Sequence, residues 1–416
     1  MGKKLIDTSW DFKNEDTKGY THCFHSYPAM MIPQVASRLI EKYSKKSKLL
    51  FDPYCGTGTS LVEANLRNIN AIGTDLNPLA RLITKAKTTP PNIKTLDLYL
   101  KDFNDTIFGY RFGIKSNISA EVPDFQNINY WFSKDVQLQL AIIKEYIEKI
   151  DDLLTRNFFK VAFSETVRKS SWTVNSEFKL LRMSSRQIEG FNPDVFGIIE
   201  FKLSQNRNGL VSYLKAKNNS KAVTEVYSFN TVENIPEEVL PEASVDLVVT
   251  SPPYGDSRTT VAYGQFSRLA NQWLNFENAS NVDNELMGGK RAQNIHHFDI
   301  DILDETIERI GNKDEKRSKD VIAFFKDYEF SIKNISKVIK RKGHVCYVVG
   351  NRRVKSVTIP TAEITREFFE KYGFRHKETI MRNIPNKRMP LENSPSNIIV
   401  SYESNLCKKS KHFFLK

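Results

Sequence analysis

The hydrophobic pattern at the start of the chain alternates between amphipathic segments and short apolar runs. Apolar positions recur at helical spacing over residues 34–40, and the apolar run at 49–51 is short enough to be a buried strand. A second helical pattern at 60–66 leads into a second apolar run at 71–74. This order predicts a strand–helix–strand unit, which is typical of a parallel sheet covered by helices.

The pattern changes between residues 95 and 220, where helical periodicity dominates and is clearest over 136–150. A basic, hydroxyl-rich stretch follows at 167–173. We therefore predict that 95–220 is a largely helical insertion between the two parts of a sheet domain, residues 1–94 and 221–416.

The second part of the sheet domain again contains strand-like runs. The clearest of them lie at 222–227, 245–250, 344–349 and 397–402. A helix is predicted at 321–339, whereas the polar segment 278–319, which is interrupted by two adjacent glycines, is expected to be a loop. The predicted fold class is therefore α/β.

Composition and charge add to this picture. The chain has 416 residues, enough for two or three domains, and its 61 Lys and Arg against 49 Asp and Glu give a formal charge of +12. The basic excess favours a polyanionic partner. No apolar run is long enough to span a membrane, and the N-terminus lacks a secretory signal pattern. The four cysteines have no paired metal-ligand spacing, and His296 and His297 have no ligand partners at useful spacing, so we expect a cytoplasmic protein without a metal site.

Residues 52–59, with the sequence DPYCGTGT, form a glycine-rich turn between the first strand and its helix. Glycine lets a ligand approach the backbone closely, and the start of a helix presents free N–H groups. The dinucleotide-binding pattern needs a third glycine where Leu61 stands, and Asp52 suits a cationic group better than a phosphate. Asp75, at the end of the next strand, is placed to accept the two hydroxyls of a ribose. The pattern indicates a nucleoside site without a pyrophosphate; the alternative is a tight turn beside a solvated acid.

The sequence SPPY at 251–254 directly follows the predicted strand at 245–250. Consecutive prolines stiffen a loop and leave nearby carbonyl groups free to accept hydrogen bonds. Ser251 adds a hydroxyl, and Tyr254 adds an aromatic face that can stack on a planar base. Acceptors beside an aromatic ring suit an exocyclic amino group, whereas the alternative is a stiff structural turn.

Residues 21–80 and 225–275 resemble the S-adenosylmethionine-dependent DNA amino-methyltransferases, which methylate cytosine N4 or adenine N6. The resemblance rests on the sequences DPYCGTGT and SPPY described above. It implies a Rossmann-like methyltransferase sheet flanked by helices, S-adenosylmethionine as the cofactor and double-stranded DNA as the partner. It also raises the question of whether a cognate restriction endonuclease accompanies the chain.

The resemblance implies a set of cofactor-binding residues. These are Phe24, Asp52, Tyr54, Gly56, Gly58, Thr59, Asp75 and Asn230. Asp52 would pair with the methionine ammonium, and a segment at 24–33 would close over the methionine end of the cofactor. Many family members carry an acid where Asn230 stands, so this position departs from the family pattern.

The resemblance also implies the catalytic residues Ser251, Pro252, Pro253 and Tyr254. The Ser251 hydroxyl and the Pro252 carbonyl would hold the two amino hydrogens of a base flipped out of the duplex, while Tyr254 stacks on that base. The methyl group would then transfer directly, because oxygens aimed at the nitrogen stabilise its developing positive charge.

Four basic residues are candidates for DNA binding. Arg258 and Arg268 follow the catalytic loop and would grip the phosphates beside the flipped nucleotide; the alternative is that they anchor the loop. Arg168 and Lys169 belong to the basic stretch of the insertion, for which a solvated helix face is the alternative. Many family members carry their recognition domain elsewhere in the chain, so its placement at 95–220 is a hypothesis.

The target base and the substrate class have alternatives. Ser251 favours cytosine N4, because adenine enzymes more often carry Asp or Asn there; adenine N6 methylation by the same mechanism is the first alternative. An RNA or protein-glutamine methyltransferase is a second, since those enzymes use similar loops, and a catalytically silent nucleic-acid-binding module is a third. The insertion and the basic charge favour duplex DNA.

Overall fold

A mixed sheet of eight strands forms the centre of the protein. The structure is a computed structural model that describes residues 3–44, 46–114, 120–218, 220–256, 260–383 and 397–404. The strands within these residues are β1 (Lys3–Ile6), β2 (Leu49–Asp52), β3 (Asn70–Thr74), β4 (Thr224–Tyr227), β5 (Val245–Thr250), β6 (Ile339–Gly350), β7 (Arg352–Val354), β8 (Val357–Ile359), β9 (Phe374–Arg382) and β10 (Asn397–Ser404).

The strand order in the sheet is β1-β9-β10-β6-β5-β2-β3-β4. Neighbouring strands are parallel except for β10, which runs antiparallel to both β6 and β9. Strands β7 and β8 form a separate antiparallel hairpin. The chain moves from β2 outward to β3 and β4, and later from β5 in the opposite direction to β6. The order therefore reverses between β2 and β5, and ligands of open α/β sheets bind at such a reversal, beyond the carboxyl ends of the strands.

Helices cover both faces of this Rossmann-like sheet. Those before the insertion and at its start are α1 (Pro33–Tyr43), α2 (Thr59–Leu66), α3 (Pro78–Thr88) and α4 (Ile93–Arg111). The insertion continues with α5 (Ile128–Trp131), α6 (Lys134–Glu148), α7 (Leu153–Ser170), α8 (Ser185–Glu189) and α9 (Val195–Lys217). The second part of the sheet domain contains α10 (Tyr263–Trp273), α11 (Val282–Glu285), α12 (Asp301–Gly311), α13 (Glu315–Val338) and α14 (Thr361–Lys371). The prediction of an α/β fold with a Rossmann-like sheet flanked by helices is confirmed, and the described residues between 95 and 220 are largely helical.

The prediction of a loop across 278–319 is wrong, because α12 lies within it. Leu303, Ile307 and Ile310 recur at helical spacing and are buried, and they join the core formed by α13 and the sheet. The many charged residues on the other face of this helix gave the segment a polar composition, although its apolar stripe is continuous.

The cores explain how the insertion is attached. Alternate residues of β5 face opposite sides: Val248 belongs to the core under α13 and α14, while Leu247 and Val249 belong to the core under α1 and α2. The third core is made by the insertion helices together with α3 and α10. Trp273 of α10 is fully buried there, and the ring of Phe132 lies 5.7 Å from it, measured between centroids. The insertion therefore packs on the sheet domain through shared side chains.

Among the described residues, no helix combines the length and the apolar character that crossing a bilayer requires. The same residues contain no group of three or more His, Cys, Asp or Glu side chains arranged to hold a metal ion.

Candidate active site

The glycine turn and the SPPY loop meet at the reversal in strand order. A small cavity of about 90 Å³ lies between them, and its wall includes Asp52, Gly56 and Asp75 from the first half of the chain. Ser251 and Pro253 from the second half of the chain also line this cavity. Two motifs about 200 residues apart in sequence thus form one site, because β2 and β5 are adjacent parallel strands.

The backbone of the glycine turn is held by α3. Gly56 and Gly58 have φ angles of +49° and +74°, and a Cβ added at Gly58 would lie 2.5 Å from Cγ2 of Thr84. The Thr84 hydroxyl donates to the Gly56 carbonyl at 2.8 Å, and the buried Lys87 ammonium donates to the Thr57 carbonyl at 2.8 Å. These contacts with α3 hold the turn, while Gly56, Thr57 and Thr59 line the small cavity.

Asp52 is a buried carboxyl, and its hydrogen-bond partners are the hydroxyl groups of Ser60 and Thr250 and the backbone N–H of Tyr54. Burial raises the pKa of Asp52 to about 6, although these hydrogen bonds oppose the shift. A carboxylate whose desolvation is not fully compensated by its neighbours favours a cationic ligand. The side chain therefore has the chemistry expected of an ammonium-binding group.

Asp75 lies across the small cavity from the SPPY loop, after β3. Its carboxylate accepts hydrogen bonds from the backbone N–H groups of Gly56 at 3.0 Å and Asn77 at 2.8 Å. Burial raises the pKa of Asp75, and these two N–H donors and the nearby Arg81 guanidinium act in the opposite direction. The carboxylate is thus oriented by backbone, which leaves its remaining lone pairs available to hydroxyl donors.

The SPPY loop lies between the small cavity and a second, much larger one. Ser251 and Pro253 line the small cavity, and Tyr254 lines the large cavity, whose volume is about 980 Å³. The Ser251 hydroxyl donates to the Val348 carbonyl of β6 at 3.0 Å, and its Oγ lies 3.2 Å from the Tyr254 hydroxyl. Pro252 is buried and lines neither cavity. The loop therefore contributes Ser251 to the wall of one cavity and Tyr254 to the wall of the other.

A buried ion pair supports the loop from β7. The Arg352 guanidinium contacts the carboxylate of Asp256 at 3.0 Å, and Asp256 is fully buried two residues after Tyr254. Gly255, between Tyr254 and Asp256 in the sequence, has a φ angle of +152°, and a Cβ added at this residue would overlap the Arg352 guanidinium. Glycine at this position thus lets the arginine pack directly on the loop backbone.

The large cavity is cationic. Nine Lys or Arg residues line it, against the three acids Asp11, Glu15 and Glu165. It lies between the sheet domain and insertion helices α7 and α9, since Lys169 and Phe201 also line it. Such an excess of positive charge in a concave surface attracts polyanions.

One segment of the N-terminal region, residues 27–31, borders both cavities. Tyr27, Ala29, Met30 and Met31 line the small and the large cavity alike. Tyr27 is fixed by a hydrogen bond from the Asn77 amide at 2.7 Å and by stacking on Tyr263 at 6.0 Å between ring centroids. Of the predicted segment at 24–33, residues 27–31 therefore border the small cavity.

Two of the residues expected at the cofactor site lie elsewhere. Phe24 is fully buried in the core of the insertion, with its ring 5.4 Å from that of Phe158, and does not line either cavity. Asn230 uses its side-chain oxygen to accept the N–H of Val232 at 3.0 Å and is also absent from the cavity walls. Both expectations rested only on where these residues stand in the family pattern. A position in a sequence pattern does not determine where the side chain points.

Asp52, Tyr54, Gly56, Thr59 and Asp75 do line the small cavity, and Gly58 lies behind it against Thr84. Sequence reasoning missed Asn77 and Tyr263, which also line this cavity. Asn77 caps α3 by accepting the N–H of Leu79, so the asparagine before Pro78 was the available signal.

Arg168 does not match its predicted role as a DNA contact. It is 7% exposed, its guanidinium lies 4.2 Å from the centre of the Phe266 ring, and it donates to the carbonyls of Phe266 and Glu177. Through its contacts with Phe266, Arg168 connects α7 to α10. Its neighbour Lys169 lines the large cavity and pairs with Glu165 at 2.9 Å.

The other two predicted DNA contacts differ in what the structure describes. Arg268 is partly buried on α10 and does not line the large cavity. Burial raises the pKa of Asp283, and the Arg268 guanidinium near this carboxyl acts in the opposite direction. Arg258 lies outside the described residues.

Several known proteins are similar to this chain in sequence or in structure. A family described as DNA methylase matches residues 2–85. The chain is 41% identical over 424 residues to the Type II methyltransferase M.MvaI of Kocuria varians, with 96% of this chain and 92% of that protein covered. It is 31% identical over 104 residues to the Type II methyltransferase M.MjaII of Methanocaldococcus jannaschii, a match that covers 24% of this chain and 20% of that protein. The solved structure of the rRNA methyltransferase aviRa from Streptomyces viridochromogenes aligns over 94% of each chain, with 10% identity and a TM-score of 0.34.

Proposed function

The chain belongs to the DNA amino-methyltransferase family, and we propose that it transfers the methyl group of S-adenosylmethionine to an amino group of a base extruded from double-stranded DNA. We further propose that this base is cytosine and that the product is N4-methylcytosine. The observation that carries the proposal is the position of the SPPY loop between the two cavities. A group bound in the small cavity and a base stacked on Tyr254 would meet at Ser251.

The residues of the small cavity suit S-adenosylmethionine. Asp52, a buried acid with hydroxyl and N–H partners, would pair with its methionine ammonium, and Asp75 would accept its ribose hydroxyls. Gly56 leaves the backbone open to close approach, since nothing lies within 4 Å of a Cβ added there. The cofactor supplies an electrophilic methyl group on a sulfonium.

The large cavity suits duplex DNA, and its cationic lining supports this assignment. Phosphate contacts supply much of the affinity of proteins for DNA, and a base must leave the stack to reach a buried catalytic loop. Both named relatives are Type II methyltransferases. We propose the same role for this chain, with a cognate restriction endonuclease as its partner in the cell.

The mechanism follows from the hydrogen bonding of Ser251. Its hydroxyl donates to the Val348 carbonyl and its Oγ lies 3.2 Å from the Tyr254 hydroxyl, and an oxygen lone pair that these contacts leave would accept a hydrogen from the amino group of the base. The Pro252 carbonyl would accept the other amino hydrogen. These acceptors favour a pyramidal nitrogen and stabilise the positive charge that grows on it during transfer. Tyr254 would hold the base by stacking and by cation–π attraction as the charge develops.

The test is to identify the methylated nucleoside. Duplex DNA is incubated with the purified protein and S-adenosylmethionine, digested to nucleosides and analysed by mass spectrometry, with a Ser251→Ala variant as the control. We expect N4-methylcytosine with the wild-type protein and far less with the variant. N6-methyladenine as the product would replace cytosine by adenine as the target, and methylation of RNA or protein but not DNA would contradict the proposed substrate.

A further inference from the structure

We propose that the β7–β8 hairpin is a DNA-contacting ribbon that binds the duplex beside the extruded base, with Arg353 as its principal contact. This inference rests on the proposed function, because it requires duplex DNA in the large cavity. It adds a binding surface in the second half of the chain, outside the insertion where we predicted recognition.

The hairpin has two distinct faces. Residues Arg353 and Thr358 are directly paired across the two strands, and the connecting residues Lys355 and Ser356 have φ angles of +50° and +61°. Two-residue connections with positive φ at both positions match the twist of the strands and make short, rigid hairpins. The buried residues are Arg352, Val354, Val357 and Ile359, and the exposed ones are Arg353, Lys355, Ser356 and Thr358.

The buried face fixes the hairpin relative to the catalytic loop. Val354, Val357 and Ile359 belong to the hydrophobic core under α12 and α13. Arg352 contacts Asp256 of the catalytic loop at 3.0 Å, and its neighbour in sequence is Arg353. The hairpin is therefore connected to the loop that follows Tyr254 by this buried ion pair.

The exposed face carries charge into the large cavity. Arg353 and Lys355 both line this cavity, as Tyr254 does. Lys355 pairs with Asp314 at 3.0 Å. The Nε of Arg353 donates to the Thr358 hydroxyl at 3.4 Å, and no carboxylate among the described residues pairs with its guanidinium. A two-stranded ribbon fits the major groove, and an arginine there can bind either a phosphate or a guanine edge.

The experiment compares Arg353→Ala with Arg309→Ala in the full-length protein. Arg309 is an exposed arginine of α12 that does not line the large cavity, so both variants lose one surface positive charge. For each we would measure DNA affinity across a salt series, the dissociation constant of S-adenosylmethionine, and methylation of the preferred site and of its single-base variants.

We expect Arg353→Ala to weaken DNA binding about tenfold and to lower the slope of log affinity against log salt by about one, with cofactor affinity unchanged. Arg309→Ala should behave as the wild type. A loss that is uniform across sites would identify a phosphate contact, and a loss confined to the preferred site would identify a base contact; both support the hairpin as a DNA-contacting surface.

Two further variants distinguish loss of the Arg353 charge from loss of the folded hairpin. Arg353→Lys keeps the charge and should recover part of a phosphate contact but little of a bidentate base contact. Arg353→Met keeps the long unbranched stem of the side chain but removes the charge, so it should bind DNA as weakly as Arg353→Ala while its thermal unfolding stays like that of the wild type. Arg353→Ala binding and methylating DNA like Arg309→Ala would overturn the proposal. A wild-type protein that transfers no methyl group to DNA would instead contradict the proposed function.

Discussion

At the scale of single residues, the burial of Asp52 predicts how cofactor binding depends on pH. The pKa of this carboxyl is raised to about 6, so it is ionised above that pH and becomes neutral as the pH falls through it. An ammonium pairs with the ionised form only. We therefore expect the affinity for S-adenosylmethionine to vary little between about pH 6.5 and 7.5, where the carboxylate and the ligand's α-ammonium are both charged, and to fall by up to about tenfold per unit below pH 6.

Calorimetric titrations between pH 5 and 8 would test this dependence. Asp52→Asn should bind the cofactor more weakly at pH 8 and should lack the decline that the wild type shows below pH 6. Parallel profiles for the two proteins would mean that another group controls binding.

Ser251 is predicted to act in the chemical step and not in cofactor binding. Ser251→Ala removes the oxygen that we propose accepts an amino hydrogen, and a single aimed polar group at a reacting centre is worth about a hundredfold in rate. We expect single-turnover methylation to slow by about that factor, with little change in the dissociation constant of the cofactor. An unchanged rate would remove the serine from the mechanism.

At the scale of elements, the glycine turn offers a matched pair of substitutions. Gly56 and Gly58 both have positive φ angles, but only Gly58 has a close neighbour, the methyl group of Thr84. Alanine at a left-handed position costs about 1–2 kcal/mol. Gly58→Ala adds steric overlap to that cost, so it should lower the midpoint of thermal unfolding more than Gly56→Ala does.

Thr84→Ser provides the control for this comparison. It removes the methyl group but keeps the hydroxyl that donates to the Gly56 carbonyl. The Gly58→Ala/Thr84→Ser double variant should therefore recover the steric part of the loss and no more. Equal destabilisation by the two alanine substitutions would show that the overlap relaxes at no cost.

Elements differ in how far the sequence could predict them. The strand Val245–Thr250 is rich in apolar and β-branched residues, with Asp246 as its one charged residue, and the structure has β5 with those bounds. The hairpin β7–β8 was missed, because strands of three residues are too short to show periodicity. Within the site, Asp52 and Ser251 follow from local motifs, whereas Tyr27 and Tyr263 reach the small cavity only because their rings stack across 236 residues of sequence.

At the scale of the whole molecule, the shared core predicts that the sheet domain does not fold independently when the insertion is removed. Trp273 of α10 is surrounded by rings from the insertion, among them Phe132 and Phe163. Deleting 95–220 would expose this tryptophan and the apolar face of α3. We expect the shortened chain to lose cooperative thermal unfolding, measured by circular dichroism; unfolding as cooperative as that of the full chain would show that the sheet domain is independent.

The segment 27–31 has a consequence for the order of events on the protein. Because the same side chains line both cavities, a ligand in one cavity would contact side chains that also face the other. Two ligands that share a wall have a coupling free energy, and this coupling acts equally in both directions. The affinity of such an enzyme for DNA would then depend on whether the bound cofactor still carries its methyl group. Release of the modified duplex and release of the demethylated cofactor would be interdependent.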